Sequence, residues 1–221
     1  MKKILITGST GFLGGAVVAS LVKSHQDSLL LLVRASSAEE GCHRVQANLK
    51  NFGLTESQIK RITPEDIIPG DLGYPEDFIE DTRLDKVTHV INCAAVASFG
   101  NNPSIWKVNV DGTFMFAERM SRVKTLEKFI HVGTAMSCAP QPNSLVTENR
   151  LNSTREQHIV EYTWSKAAIE KKLTESLENF PLLITRSSTV VGDSDHVCYP
   201  SACLFWLFFM ALRLGKFTCR F

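Results

Sequence analysis

The amino-acid sequence predicts an α/β protein built on a doubly wound parallel sheet. Short apolar runs alternate along the chain with longer, more polar segments. The runs lack the apolar/polar alternation of a sheet that has one wet face, so the strands are expected to be buried on both faces. A turn rich in glycine also follows the first apolar run directly. Strands of this kind need helices on both sides of the sheet.

The elements follow in order from these periodicities. The apolar runs predict six strands, at residues 4–7, 29–33, 67–68, 87–92, 128–132 and 182–185. The segments between them predict four helices, at residues 15–22, 38–51, 105–122 and 156–178. A polar loop is expected at 140–153.

The composition limits the function classes. The chain has 221 residues, 44% hydrophobic and 21% charged, which are values of a globular protein with an ample core. A net charge of +1 argues against a broad nucleic-acid surface. The six cysteines form no C-x-x-C pair and no Cys/His cluster, so we expect reduced thiols, no metal site and a cytoplasmic location. The first apolar run is too short for a signal peptide.

The longest apolar run lies at residues 202–212. It is shorter than the roughly 20 residues that a membrane-spanning helix needs, so no transmembrane segment is expected. A buried helix is the default interpretation. A helix at a membrane surface or against a hydrophobic ligand is the alternative.

The first strand, the glycine turn and the following helix form the context of a dinucleotide-binding loop. Gly8 would permit the tight turn, Gly11 the approach of a pyrophosphate and Gly14 the close packing of the helix. The helix N-terminus would direct free N–H groups at the phosphates. An ordinary glycine-rich turn is the alternative. The remaining loop residues predicted to contact the cofactor are Ser9, Thr10, Phe12 and Leu13.

Arg34 ends the second strand, where an NAD-binding fold usually carries an acidic residue about 20 residues beyond the glycines. A guanidinium instead suits the 2′-phosphate of NADP. Arg44, on the next predicted helix, is a weaker candidate for the same phosphate. A solvated surface arginine is the alternative interpretation of Arg34.

Further cofactor contacts are expected where the third and fourth strands end. Asp71, followed by Leu72, can accept a hydrogen bond from an adenine amino group or can cap its own turn. The small residues Cys93, Ala94 and Ala95 would let a cofactor lie against the backbone, or would serve tight helix packing.

Tyr162 and Lys166 are four residues apart and share one face of a predicted helix. A tyrosine can exchange a proton with a substrate oxygen, and a nearby ammonium is expected to lower the pKa of the phenol. Thr134, at the end of the fifth strand, can orient that oxygen. The alternative is an unrelated surface pair, but the order of these features along the chain favours a catalytic set.

These residues together resemble the extended short-chain dehydrogenase/reductase family, a family of Rossmann-fold enzymes. The resemblance rests on T-G-S-T-G-F-L-G at residues 7–14, N-C-A-A at 92–95, N-V-D-G-T at 109–113 and Tyr162-x-x-x-Lys166. Residues 31–35, 131–135 and 190–194 are most similar to the thioester-reductase and fatty acyl-CoA reductase (male-sterility) branch.

The resemblance implies roles for the site residues. Tyr162 would donate a proton to the carbonyl oxygen, Lys166 would hold the nicotinamide ribose, and Thr134 would bond the substrate oxygen. Asn109 would support its helix and a bound water near Lys166. NADP(H) would serve the reduction of an acyl thioester to an aldehyde or alcohol, and a homodimer through the Tyr162 helix is an assembly to test.

Two departures from the family pattern concern the end of the chain. Ser187 stands where the family often has proline, next to the nicotinamide contacts expected at Thr189 and Val190. The family carries a sizeable substrate-binding segment beyond residue 193, and little sequence follows here. We therefore expect an NADP-binding Rossmann domain with the catalytic residues at 1–194 and a truncated remnant of the substrate-binding region at 195–221.

Three functions remain open on the sequence. The first is NADPH-dependent reduction of an acyl thioester. The second is another reaction of the extended family, such as epimerisation, dehydration or alcohol oxidation. The third is a non-catalytic NADP-binding protein, which the short C-terminal part favours and the complete Thr134, Tyr162 and Lys166 set disfavours.

Overall fold

One six-stranded parallel sheet organises the chain. The computed structural model describes residues 2–24, 28–139, 143, 145–149, 153–190 and 192. The strand order is β3-β2-β1-β4-β5-β6, the arrangement of a doubly wound dinucleotide-binding fold. This confirms the predicted fold class. The strands are β1 Lys3–Thr7, β2 Ser28–Val33, β3 Ile67–Pro69, β4 His89–Asn92, β5 Lys128–Thr134 and β6 Leu182–Ser187.

The α-helices connect the strands as crossovers on both faces of the sheet. They are α1 Phe12–Ser24, α2 Ala38–Leu49, α3 Glu56–Ile59, α4 Ser104–Trp106, α5 Thr113–Ser121 and α6 Glu161–Ser176. The predicted start of the last helix at residue 156 is wrong. Residues Arg155–Gln157 form a separate 3-10 turn with its own capping box at Thr154, and Val160 is extended. The chain therefore enters α6 one residue before Tyr162.

The apolar strands divide their side chains between two cores, one on each face of the sheet. Ile4 and Ile6 of β1 pack with Val18 on the α1 and α2 side. Leu5 points to the other face, where it packs in the core that contains Phe116 and Ile169 of α5 and α6. Because successive side chains of a strand point to opposite faces, an uninterrupted apolar run is what two covered faces require.

The helix predicted at 105–122 is continuous but contains a π-helical segment, Lys107–Gly112, between α4 and α5. Asn109 lies inside this segment and is 1% exposed. The sequence pattern did not predict this widening. π segments inside helices frequently occur at functional sites, and this one brings Asn109 next to the chain that follows β4.

Some expectations fall outside the described residues. They include the apolar run at 202–212 and the region at 195–221 that we assigned to substrate binding. Within the described ranges, none of the helices combines the length and the apolar character that crossing a bilayer requires.

Gly112 offers a test of the packing at the π segment. A Cβ atom at this position would lie 1.6 Å from the carbonyl oxygen of Leu72, a backbone atom that cannot turn away. We expect Gly112→Ala to lower the free energy of unfolding by about 3 kcal/mol, measured by chemical denaturation. Gly100→Ala is the control, because its Cβ would meet nothing nearer than Ser98 Oγ at 3.9 Å. Equal stability of the two variants would contradict this packing.

Candidate active site

A cavity of about 510 Å³ opens at the carboxyl ends of the strands, where the strand order reverses between β1 and β4. Ligands of open α/β sheets bind at such a switch point. The lining combines the glycine turn, the ends of β2 and β3, and the chain after β4. The lining residues are Thr7, Gly8, Thr10, Gly11, Leu32, Arg34, Arg44, Gly70, Asp71, Leu72, Cys93, Ala94, Ala95, Val96, Asn102, Ser104 and Val108.

The glycine turn has the geometry that a phosphate-binding loop needs. Gly8 has a φ of +73°, in the left-handed region that favours glycine. A Cβ there would also lie 2.8 Å from the backbone nitrogen of Ala94, so Gly8 serves close approach to the β4 side as well as the turn. A Cβ on Gly14 would lie 2.2 Å from Gly8 O, as expected for a glycine that brings the helix close to the strand.

The other predicted loop residues do not all line the cavity. Thr10 does, whereas Ser9, Phe12, Leu13 and Gly14 are not among the lining residues. Ser9 is buried, and the Phe12 ring packs at 5.9 Å from the ring of Phe52. Because α1 begins at Phe12, the first residues of the helix can contribute their free backbone N–H groups rather than their side chains.

Asn48 on α2 supports the glycine turn and was missed by the sequence analysis. Its side-chain Nδ2 donates to the carbonyl oxygens of Ser9 and Gly11, each at 3.0 Å. Both bonds span almost forty positions of sequence, so no local pattern could have revealed them. The amide fixes the side of the turn that faces away from the cavity.

Two arginines lie at the end of the cavity formed by β2 and α2. Arg34 and Arg44 are both exposed and both line it. Arg44 Nη1 donates to the carbonyl oxygen of Arg34, so α2 holds the backbone that carries the Arg34 guanidinium. The two residues predicted for one phosphate are therefore neighbours in space.

Asp71 has the turn-capping role that the sequence left open, and its predicted contact with an adenine stays a prediction. Its Oδ1 accepts a hydrogen bond from the backbone N–H of Gly73 at 2.7 Å, which is the turn-capping role. The residue also lines the cavity, together with Leu72.

Three residues, one each on β1, β4 and β5, form a buried chain of hydrogen bonds that reaches the cavity. Thr7 Oγ1 donates to Asn92 Oδ1 at 2.6 Å, and Asn92 Nδ2 lies 3.1 Å from His131 Nδ1. Thr7 Oγ1 also accepts from the N–H of Ala94 at 3.0 Å. Burial lowers the pKa of His131 well below its ordinary value, so the imidazole is neutral and its Nδ1 can accept from the amide. Cys93, Ala94 and Ala95 are thereby fixed in the cavity lining.

Two of the predicted catalytic residues, Lys166 and Thr134, lie where β5 ends against α6. Lys166 is 3% exposed, and its Nζ donates to Val132 O of β5 at 2.8 Å. Thr134 is the last residue of β5, and its Oγ1 accepts from Met136 N at 3.3 Å, which leaves the hydroxyl proton for another acceptor. Lys166 also interacts electrostatically with Cys93 of the cavity lining, but Thr134, Tyr162 and Lys166 are not themselves among the lining residues.

Burial controls the proton affinities at this point. It lowers the pKa of Lys166 to about 8, against the opposing charge of Glu170, and raises that of the Cys93 thiol to about 11. Burial also raises the pKa of Tyr162. The expectation that Lys166 lowers the phenol pKa is therefore wrong for this arrangement, because the loss of solvent decides the direction of the shift. Tyr162 is a neutral phenol near pH 7, the state in which it can donate a proton.

Asn109 joins the chain after β4 to α6 through its amide. Its Oδ1 accepts from Val96 N at 2.7 Å, and Nδ2 donates to Val96 O and to Ser165 Oγ, each at 3.1 Å. These hydrogen bonds place it beside the residue that precedes Lys166. We expected Asn109 to support its helix, and the structure shows its amide linking that helix to Val96 and to Ser165 of α6. The role toward a bound water stays a prediction.

Thr189 and Val190 follow β6 and are not among the residues that line the cavity. Their predicted contact with a nicotinamide stays a prediction. The lining residues that the sequence analysis missed include Thr7, Val96, Asn102, Ser104 and Val108. Thr7 begins the glycine motif, whereas the other four come from segments that the sheet order brings to the switch point.

The fold, the glycine turn and the Thr134, Tyr162 and Lys166 set define a dinucleotide-binding domain of the extended short-chain dehydrogenase/reductase class. Within it, the chain belongs to the male sterility protein family of NAD-binding domains, whose profile matches residues 6–221. This confirms the resemblance to the fatty acyl-CoA reductase and thioester-reductase branch and supports a nicotinamide dinucleotide as the class of cofactor.

Individual relatives agree with this assignment. Fatty acyl-CoA reductase 1 of Xenopus laevis is 30% identical over 187 residues, which cover 80% of this chain and 33% of that protein. A thiolation-reductase di-domain of an archaeal non-ribosomal peptide synthetase has a TM-score of 0.77 at 20% identity, with 97% of this chain and 59% of that one covered. UDP-glucuronic acid 4-epimerase of Bacillus cereus, solved with NAD, has a TM-score of 0.59 at 23% identity, with 88% and 58% covered.

The chain is thus shorter than the proteins it resembles. It spans about a third of the length of the frog reductase and somewhat more than half of the two solved structures. The likeness to the two structures concerns the fold.

Asn48 provides a test of the glycine turn. Asn48→Asp keeps the side-chain shape but places a carboxylate against two carbonyl oxygens, so the turn should open. We expect dinucleotide affinity, measured by fluorescence titration, to fall about tenfold or more. Asn51→Asp is the control, because Asn51 is exposed on the next turn and adds the same charge. An unchanged affinity in Asn48→Asp would rule out this support.

Proposed function

We propose that the chain is the NADP(H)-binding and catalytic part of a reductase that converts an acyl thioester to an aldehyde or alcohol. The observation that carries the proposal is the junction of β5 and α6. There Lys166 is buried against Val132 O, Thr134 ends the strand and Tyr162 lies one helical turn before the lysine. The fatty acyl-CoA reductase relative and the family match support a thioester as the substrate class.

The residues divide the reaction between them. The cavity between the glycine turn and Cys93–Ala95 would hold the dinucleotide, which supplies a hydride when it is bound in its reduced form. Thr134 donates a hydrogen bond to the substrate carbonyl oxygen, and Tyr162 transfers its phenolic proton to that oxygen as hydride reaches the carbon. Lys166, as an ammonium ion, holds the nicotinamide ribose and stabilises the phenolate that remains. The resulting hemithioacetal releases its thiol and leaves an aldehyde.

The arginine pair supports NADP(H) as the cofactor form. Arg34 and Arg44 bring two exposed guanidinium groups to one end of the cavity. The acidic residue in the described lining, Asp71, has its Oδ1 bonded to the backbone of its own turn. A phosphate on the adenosine ribose would find donors there rather than a competing carboxylate.

We expect this chain to bind NADPH more tightly than NADH. The ratio of the two dissociation constants, from fluorescence titration, should be about tenfold or more, because a guanidinium–phosphate hydrogen bond is charge-assisted. Arg34→Gln should bring the ratio close to one. Arg122→Gln, with a side chain that is 71% exposed at the end of α5, should leave the ratio unchanged. Equal affinities of the unmodified chain for NADPH and NADH would contradict the assignment of Arg34 to the 2′-phosphate.

The activity itself is tested by NADPH oxidation with a panel of acyl-CoA thioesters and aldehydes. Tyr162→Phe should lower kcat by about 10²–10⁴-fold and leave NADPH affinity unchanged, because only the transferable proton is lost. Tyr74→Phe makes the same chemical change on an exposed ring and should retain full turnover. Tight NADPH binding without turnover of any substrate would favour a non-catalytic NADP-binding protein. Turnover of aldehydes alone would favour an alcohol dehydrogenase of the extended family.

Three related points belong to the same proposal. Residues 1–194 form the NADP-binding and catalytic part, and residues 195–221 belong to the substrate-binding region. The protein acts in the cytoplasm. A homodimer formed through the Tyr162 helix stays a prediction, which the molar mass in solution would test.

A further inference from the structure

Glu170 is a buried carboxylate that the proposed reaction does not use. It lies one turn after Lys166 on α6 and is 1% exposed. The i, i+4 spacing puts it on the helix face of Tyr162 and Lys166. A carboxylate removed from solvent so completely is costly unless its surroundings use the charge.

One carboxylate oxygen packs directly on the strand that carries Thr134. A Cβ atom on Gly133 would lie 2.2 Å from Glu170 Oε1, so a side chain at that position would displace the carboxylate. Gly133 stands between Val132, which accepts the hydrogen bond of Lys166, and Thr134. Helix α6 therefore meets β5 at two consecutive residues, once through the lysine and once through the glutamate.

The other oxygen joins the two segments that flank this contact. Glu170 Oε2 accepts from Arg186 Nε of β6 at 2.8 Å and from Ser137 Oγ at 3.2 Å. Ser137 Oγ also lies 2.7 Å from Thr134 O, in the turn after β5. Arg186 is paired in register with Gly133. One carboxylate thus ties α6 to the end of β5, to the turn that follows Thr134 and to β6.

The charge of Glu170 also matters to Lys166. Three titratable neighbours of the lysine are neutral near pH 7, because burial lowers the pKa of His131 and raises those of Cys93 and Tyr162. Burial raises the pKa of Glu170, and Arg186, on the β6 side, opposes that effect through an ion pair with the carboxylate at 2.8 Å. Of the two groups whose negative charge favours the ammonium form of Lys166, Glu170 and Cys93, Glu170 has the larger effect.

We propose that Glu170 is a positioning residue for the reaction proposed above, on which this inference rests. Its carboxylate clamps the end of β5 against α6, so that Thr134, Tyr162 and Lys166 keep their relative positions. The same charge holds Lys166 in the ammonium form that the reaction needs.

The sign of the pH effect follows from the lysine. Lys166 loses its proton as the pH rises through about 8, so turnover of the unmodified chain should fall above that pH. Without the carboxylate the ammonium is less favoured. The alkaline limb of the pH profile should then move to lower pH by about one unit.

Three variants separate positioning from simple stability. Glu170→Gln keeps the shape but removes the charge and leaves Arg186 buried without its anion, so it should lower Tm. E170Q/R186Q removes both charges and should recover most of that loss. Glu175→Gln, about one turn further on the same helix, is the control, since Glu175 is 61% exposed and pairs with Lys171 at 3.9 Å.

Two measurements are made on each variant. One is kcat/KM against pH with an acyl-CoA thioester. The other is the titration of Lys166 itself by the ¹³Cε chemical shift in NADPH-free protein, assigned by its loss in Lys166→Met. We expect the alkaline limb of the kcat/KM profile and the midpoint of the Lys166 titration to move down by about one pH unit in E170Q and in E170Q/R186Q. Neither should move in Glu175→Gln.

The outcomes are distinguishable. An unchanged midpoint of the Lys166 titration in both Glu170 variants would overturn the proposal. So would a kcat/KM that recovers to the unmodified value together with Tm in E170Q/R186Q. A shifted NMR midpoint in a chain that turns over no thioester would sink the proposed function but leave the effect of Glu170 on Lys166 intact.

Discussion

The hydrogen bond between Thr7 and Asn92 joins β1 to β4 at the point where the sheet reverses its order, and the site depends on it. The Thr7 hydroxyl donates to the Asn92 amide and accepts from the N–H of Ala94, so one side chain fixes both the strand pairing and the first residues of the cavity lining. The Asn92 amide is also hydrogen-bonded to His131, and burial lowers the pKa of His131 so that the imidazole stays neutral. A buried polar chain is favourable only when its members are paired, which makes this register hard to exchange for another.

Gly8 brings the same two segments together sterically, namely the turn after β1 and the chain after β4. The positive φ turns the chain away from β1, and the missing side chain lets the turn touch the backbone at Ala94. The glycine turn and the chain after β4 therefore lie side by side and border the cavity at the switch point. Asn48 then holds the turn from the α2 side, so the glycine turn is supported both by α2 and by the chain after β4.

The residues proposed to be catalytic depend on a different constraint, which is the exclusion of water. Burial disfavours the charged forms of Lys166, Tyr162 and Cys93 alike, which leaves a neutral phenol beside a lysine that can still carry a proton at neutral pH. The ammonium is held by one backbone carbonyl on β5 and favoured by the carboxylate of Glu170. The protonation states of these side chains therefore depend on how α6 packs against β5.

The sequence alone determined the fold class, the six strands and the order of the site residues, because those features are written in local periodicity and spacing. Apolar runs of strand length and the Tyr162–Lys166 interval need no knowledge of distant neighbours. The tertiary structure decided what depends on partners far apart in sequence: the support from Asn48, the π segment around Asn109, the Asp71 turn beside the cavity and the clamp made by Glu170. It also reversed the expected direction of the Tyr162 pKa. Spacing shows that an ammonium is near, whereas only the packing of α6 on β5 shows how little solvent remains around the phenol.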